Sequence, residues 1–289
     1  MNVLVTGGAG FIGHHLIKKL LNKNYNVVSL DNYSTGKKEN EVDGCEYIYT
    51  DLYETDMNEF YMYSDYKFKM CFHLAALARI QPSFINPAMS IKNNYLSTLN
   101  VADFCRINAV PMIYAGSSSI HHDPLRSPYA YSKGAGEQLL DLYTKLFDLN
   151  CSTSRFYNVY GKNQIESGDY ATVIGIFEKQ YREKKPLTIV GDGNQRRDFT
   201  YVGDIVDALI SSAYYLLDKK RDNVTFELGT GDNWSINQVA TMFGKDYPVK
   251  YLDVRLGEYP ETRADYSKAF ELLNWKAKIK LNKYIESVL

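Results

Sequence analysis

The chain lacks the features that would send it out of a reducing compartment, onto a membrane or onto nucleic acid. Four cysteines among 289 residues (Cys45, Cys71, Cys105 and Cys151) are widely spaced in apolar or helical surroundings. They read as reduced core residues, not as a disulfide framework or metal ligands. There is no surplus of charge, since 33 lysines and arginines face 34 acids for a net charge of −1. That balance gives nucleic acid or an anionic membrane no electrostatic footing, although small basic clefts for phosphates are compatible with it. No stretch approaches the roughly 18 uninterrupted apolar residues of a spanning helix. The strongest, Ile205 to Leu217, carries Asp207 and two serines near its middle. The opening MNVLVTGG is neither a basic leader nor a long apolar segment, so no secretory signal is expected. Internal repeats and low-complexity tracts are missing too. The expectation is a cytoplasmic protein with no membrane or nucleic-acid partner.

What is present is ordinary globular chemistry, 45% hydrophobic and 23% charged, in a length that suits one large domain or two intimate ones. The 25 tyrosines are scattered along the whole chain and read as composition bias. In the first half, short apolar runs alternate with helical patterns, which predicts a Rossmann-type, doubly wound parallel α/β sheet. Strands are expected at Asn2–Thr6, Asn26–Leu30, Tyr47–Thr50, Met70–Leu74, Met112–Ala115 and Cys151–Phe156. Helices are expected near Phe11–Leu21, Asp56–Tyr66, Pro87–Ile107 and Pro128–Phe147. After Gly161 the pattern loosens, with short strands at Leu187–Val190 and Thr225–Leu228 and helices at Ile205–Leu217 and Ile236–Phe243. This divides the chain into a dinucleotide-binding part, residues 1–162 with a return of the chain near 199–228, and a smaller C-terminal α/β substrate lobe, 163–289. The charge runs at Arg182–Lys185 and Asp218–Asp222 read as solvated helix ends and loops.

Between the first strand and first helix stands Thr6-Gly7-Gly8-Ala9-Gly10-Phe11-Ile12-Gly13. Gly7 suits a tight turn, Gly10 lets backbone approach a pyrophosphate, and Gly13 packs helix on strand. The helix N-terminus adds partial positive charge. The second strand ends on Asp31, followed by Asn32, Tyr33, Ser34, Thr35 and Gly36. A carboxylate there accepts from both adenosine ribose hydroxyls and repels a 2′-phosphate, so NAD is favoured over NADP. Asp51 and Leu52, after the third strand, are candidates for the adenine edge. Farther on, Tyr129 and Lys133 in PYAYSK share one helix face. A free tyrosine, with pKa about 10, is a poor base at neutral pH, and a neighbouring ammonium favours the tyrosinate. Ser117, Ser118 and Ser119 close the preceding strand, at the sheet edge where ligands bind.

With these motifs in place, the chain resembles the extended short-chain dehydrogenases/reductases, specifically the nucleotide-sugar epimerase/dehydratase family typified by UDP-glucose 4-epimerase. The resemblance runs nearly end to end through TGGAGFIG, LDNYSTG, HLAA (His73–Ala76), the serine run, PYAYSKGAGE, SRFYNVYG, GDGNQRRDFTYVGD and RLGE. It implies Ser117 as the catalytic serine (with Ser118 or Ser119 one or two residues away), Tyr129 as base and Lys133 as its partner. It implies a nicotinamide neighbourhood of Leu74, Ala75, Ala76, Ala78 and Tyr157, with Asn94 bracing the region of the tyrosine. For a nucleotide sugar, a UDP-sugar above all, it implies Asn158, Thr172 and Val173. Arg197 and Arg255 would hold the phosphates, Glu258 the nucleotide ribose, and Thr262 would lie beside carbon 2. A small Thr262 leaves room for N-acetylhexosamines. Relatives also pair two helices into a homodimer, here the stretches carrying Leu96, Leu99 and Phe104 and Leu139, Leu142, Tyr143 and Leu146.

One departure stands out. Only 12 positions separate Ser117 from Tyr129, and His121-His122-Asp123 fills much of the gap. The short loop is expected to open the sugar end of the pocket. The His-His-Asp cluster has no further ligand at metal-like spacing, so no metal is expected. The Asp-Glu pair of dehydratases and the Ser-Glu of decarboxylases are replaced by Ser118-Ser119, neither of which titrates usefully. The expected reaction is therefore epimerisation, most often at carbon 4, through a transient 4-keto sugar. A nucleotide-sugar 4-ketoreductase or dehydrogenase, and a non-catalytic NAD-binding regulatory protein, are the alternatives.

Overall fold

The structure is a computed structural model that describes residues 1–62, 66–218 and 223–289. It opens with β1 (Asn2–Thr6), an apolar, β-branched run buried on both sides, as a central parallel strand requires. There follow α1 (Phe11–Asn22), β2 (Asn26–Asp31), β3 (Cys45–Tyr49), α2 (Met57–Met62), β4 (Phe68–His73), α3 (Ile80–Ile85), α4 (Pro87–Ile91), α5 (Ser97–Ile107), β5 (Met112–Ser117), α6 (Pro128–Phe147) and β6 (Cys151–Phe156). The second part contains β7 (Asn158–Tyr160), α7 (Val173–Arg182), β8 (Leu187–Val190), β9 (Arg196–Arg197), β10 (Phe199–Tyr201), α8 (Val202–Asp218), β11 (Asn223–Leu228), β12 (Trp234–Ser235), α9 (Ile236–Met242), β13 (Val249–Leu252), α10 (Ser267–Leu273) and α11 (Leu281–Val288). Seven strands form one sheet in the order β11-β6-β5-β4-β1-β2-β3, and every neighbouring pair is parallel.

Alternation along β1 sorts its side chains to the two faces. Val3 and Val5 join Phe72, Ile113 and Phe226 under α1 and α8, where Leu16, Ile17, Ile205 and Leu209 are buried. Leu4 joins Val28, Cys71 and Met112 on the other face, under Val101 and Phe104 of α5 and Leu140 of α6. A third apolar cluster collects Phe177 of α7, Leu187 and Ile189 of β8, Val239 of α9 and Ile285 of α11. The chain leaves the sheet after β6, begins this cluster, and comes back through α8 and β11 to the sheet edge beside β6.

Local expectations change at several elements; β4 and β11, for instance, start two residues before the expected Met70 and Thr225. Pairing with β2, from Val27↔Cys45 to Asp31↔Tyr49, sets the extent of β3, two residues upstream of the expected start. The helix expected over 87–107 runs through without a break, as α4, a π-helical turn at Lys92–Leu96, and α5. The helix near 56–66 is α2, and residues 63–65 lie outside the described residues, as do 219–222 of the charge run that begins at Asp218. Cys45, Cys71 and Cys105 are free thiols, and no helix among the described residues is long and apolar enough to cross a membrane.

Candidate active site

β1 and β4 lie side by side while the connections that follow them go to opposite faces, which opens a crevice at the carboxyl ends of the strands. The glycine turn forms its floor. Gly7 has φ +75°, and a Cβ on it would lie 2.7 Å from the Ala75 amide nitrogen. A Cβ on Gly13 would meet the Gly7 carbonyl at 2.2 Å, so α1 can pack on the turn only with glycine there. Gly10 is different. Its Cβ would touch nothing closer than 3.2 Å, and the residue lines the crevice, so the demand for glycine comes from the ligand side. Gly10 is also the N-cap of α1 and no side chain caps that end, which leaves its first amides for an anion.

Asp31 ends β2 with one oxygen accepting from the Ala9 amide at 2.9 Å and the other from the Tyr33 amide at 2.8 Å. Burial pushes its carboxyl up, and the Tyr33 and Ala9 amides oppose that. It therefore ties the glycine turn to the strand end and still presents lone pairs to the crevice. Phe11, Ile12, Asn32, Ser34, Thr35 and Gly36 line the same end, with Leu52 opposite. Asp51 is not on the wall. Its carboxylate accepts from the Asn32 amide group at 2.7 Å instead. Every feature needed for a dinucleotide is thus present: a tight turn, an uncapped helix start and an acid at the ribose position.

Ser127 starts α6 by accepting from the Ala130 amide at 3.1 Å, with Pro128 in the first turn. Tyr129 therefore leaves the first turn of the helix, and Lys133 follows one turn later on the same wall as Ser117, Ser118 and Ser119. Burial raises the Tyr129 pKa, opposed by a hydrogen bond from Ser117 and by the charge of Arg79. Lys133 holds its Nζ 4.1 Å from the centre of the Tyr114 ring, and burial lowers its pKa to about 7, with Glu137 opposing. Behind it, Arg155 bridges Glu137 at 2.6 Å and Glu227 at 2.7 Å.

Leu74, Ala75, Ala76, Ala78 and Tyr157 line the middle of the pocket. Asn94 does not reach it. From the π-helical turn its side chain accepts from the Leu77 amide at 2.8 Å and donates to Ser132 at 3.0 Å, one residue before Lys133. It braces the wall from behind. The pocket continues under the second part of the chain past Asn158, Thr172, Val173, Arg255 and Thr262. Arg197 and Glu258 also line it, paired with each other at 2.7 Å.

The short loop is pinned. His121 meets Glu227 at 3.0 Å, and His122 stacks on Tyr259 with ring centres 4.2 Å apart. The two histidines thus turn to different partners, and among the described residues no group of His, Cys, Asp and Glu is arranged to hold a metal. Sequence reasoning missed Arg79, Tyr170 and Tyr259, all on the pocket wall. A basic residue three positions past HLAA was the available signal for Arg79. It also missed Asp198, fully buried, which accepts from the amides of Thr230, Gly231 and Ala264 and so joins three segments beneath the substrate end.

Known proteins resemble this chain along its length. The UDP-glucose 4-epimerase of Mycolicibacterium smegmatis is 31% identical, over 97% of this chain and 95% of that protein. The UDP-glucuronate 4-epimerase of Thermodesulfobacterium geofontis is 33% identical, over 96% and 92%. Among solved structures, the UDP-glucose 4-epimerase of Thermotoga maritima with UDP-glucose superposes with a TM-score of 0.90 at 30% identity, over 99% and 96% of the two chains. Residues 3–227 match the NAD dependent epimerase/dehydratase family, and the chain belongs to that family.

Proposed function

We propose that the chain is an NAD-dependent epimerase that inverts carbon 4 of a UDP-linked hexose. The observation that carries this reading is that one pocket runs from Asp31, past Ser117, Tyr129 and Lys133, to Arg197, Arg255 and Glu258. In this reading the sheet part, residues 1–162 with the return near 199–228, holds NAD, and the lobe of 163–289 holds the nucleotide sugar. NAD, when bound, supplies the acceptor and donor of hydride. Tyr129 takes the proton of the sugar hydroxyl, and the neighbouring Ser117 hydroxyl, which lowers the phenol's pKa, stabilises the phenolate that does so. Lys133, with a pKa of about 7, exchanges a proton readily near neutral pH and relays it. Arg197 and Arg255 supply positive charge for a diphosphate. Ser118 and Ser119 offer no titrating group for elimination or decarboxylation, which supports simple inversion.

Thr262 is buried at 7% exposure, and its small side chain leaves space for an N-acetyl group beside carbon 2. Free thiols at Cys45, Cys71 and Cys105 suit a reducing cytoplasm. The exposed apolar residues of α5 and α6 suit a homodimer.

Tyr129→Phe tests the base. Offered UDP-glucose and UDP-N-acetylglucosamine and followed by NMR, the variant is expected to retain NAD and lose about 10²- to 10⁴-fold in turnover. Unchanged turnover removes Tyr129 from the mechanism.

A further inference from the structure

Arg79 is the one cation of the pocket that the mechanism above does not use. It sits in the loop after β4, as the residue before α3, with φ +146° and ψ +145°. A side-chain-bearing residue adopts such a backbone only when its surroundings hold it there, and strain of this kind gathers at ligand sites. Its Nε donates to the Tyr170 carbonyl at 3.1 Å, which fixes the guanidinium on the wall shared with Tyr129. The remaining guanidinium N–H groups have no acceptor among the described residues, and no carboxylate pairs with it. Arg197 differs in this respect, because Glu258 neutralises it. A half-buried guanidinium with most of its fork free calls for a planar anion.

The location narrows the choice. Arg79 acts on the Tyr129 phenol, and each favours the other's charged form. It therefore lies beside the base and so near the reacting carbon, while Arg197 and Arg255 line the same pocket with Glu258 and Tyr259. Asp169, beside Tyr170, also lines the pocket, but it is exposed and makes no bond to Arg79. In a hexose, carbon 6 is attached to carbon 5, the neighbour of the reacting carbon 4. A carboxylate at carbon 6 comes within reach of a guanidinium placed beside the base, and a hydroxymethyl group there leaves the guanidinium without its anion.

We infer that Arg79 is a specificity-determining residue that pairs with a carboxylate on carbon 6, making a nucleotide-linked uronic acid the preferred substrate class. This inference rests on the epimerase reading of the pocket for the orientation of the sugar. Binding tests it independently of turnover. The NAD-loaded protein is titrated calorimetrically with UDP-glucuronate, UDP-glucose and UDP, as wild type, Arg79→Gln and Arg79→Lys, with retained NAD as the check of folding. Wild type is expected to bind UDP-glucuronate about 10- to 100-fold more tightly than UDP-glucose, the range for a charge-assisted pair. Arg79→Gln brings that ratio close to one, and Arg79→Lys, which keeps the charge and carries the test should the glutamine variant lose NAD, gives an intermediate ratio.

A wild-type ratio near one overturns the inference. So does an equal loss of UDP affinity in Arg79→Gln, which would assign the residue to the diphosphate. A shifted pH profile with an unchanged ratio also overturns it, since Arg79 would then act only on the base. An Arg79-dependent ratio without inversion at carbon 4 keeps the inference and sinks the epimerase reading. Inversion of UDP-glucose with no such ratio does the reverse.

Discussion

His73 carries its proton on Nε2, and the hydrogen bonds around it require this. The Thr98 hydroxyl gives its hydrogen to the Asn94 carbonyl at 2.7 Å, so it can only accept from His73 Nε2 at 3.1 Å. Thr6 accepts from the Ala75 amide and gives its hydrogen to His73 Nδ1 at 2.7 Å. Neutral His73 thereby links β1, the loop at Ala75 and the π-helical turn, and burial, aided by the Lys133 charge, holds its pKa down to about 3. The unfolded chain takes up this proton near pH 6.5 and the folded chain does not. The stability His73 contributes is complete above that pH and is lost as the pH falls from 6.5 towards 3. Between pH 7 and 5 the loss from this one group is roughly 2 kcal/mol. Urea denaturation at the two pH values should show it, and His73→Gln should flatten the slope by about that amount. An unchanged slope would mean that His73 is charged in the fold. Tyr129 and Lys133 were legible in the sequence because helical spacing alone brings them together. The partners of His73 and Arg79 were not, because Thr6 lies 67 positions away and Tyr170 lies 91.

Helices and strands were legible where local pattern suffices. The run NVLVT, the glycine turn and the acid closing β2 specify a βαβ unit by themselves, and the structure places them as read. The π-helical turn at Lys92–Leu96 left no pattern, because its cause is tertiary: Asn94 must meet Leu77 and Ser132 at once. The apolar positions of α5 and α6 were read correctly as apolar but not as to which way they face. Phe104 and Leu139 are buried in the core of the sheet part, at 0% and 7% exposure. Ile107, Leu142, Leu146 and Phe147 stay exposed, Leu146 at 66%. If the proposed homodimer forms, these exposed residues of two neighbouring helices are where it would pair. Light scattering at micromolar concentration should give twice 33.1 kDa, and Leu146→Glu should shift the particle towards one chain. A wild-type monomer would count against pairing through these helices.

For the molecule as a whole, the sheet and its crevice follow from the order of motifs, but the way the second part closes over the crevice does not. That closure depends on Asp198 gathering the amides of Thr230, Gly231 and Ala264, and on His122 stacking against Tyr259, contacts between segments far apart in the chain. Asp31 and Arg197 line the same pocket. In the proposed reaction one pocket removes hydrogen from carbon 4 and returns it to the other face of the same molecule. It is tested most directly with a UDP-hexose carrying deuterium at carbon 4, its uronic acid counterpart included, and no added cofactor. NMR should show both carbon 4 epimers, each with deuterium still on carbon 4. A product epimer that has lost the deuterium, or no second epimer at all, would contradict the account.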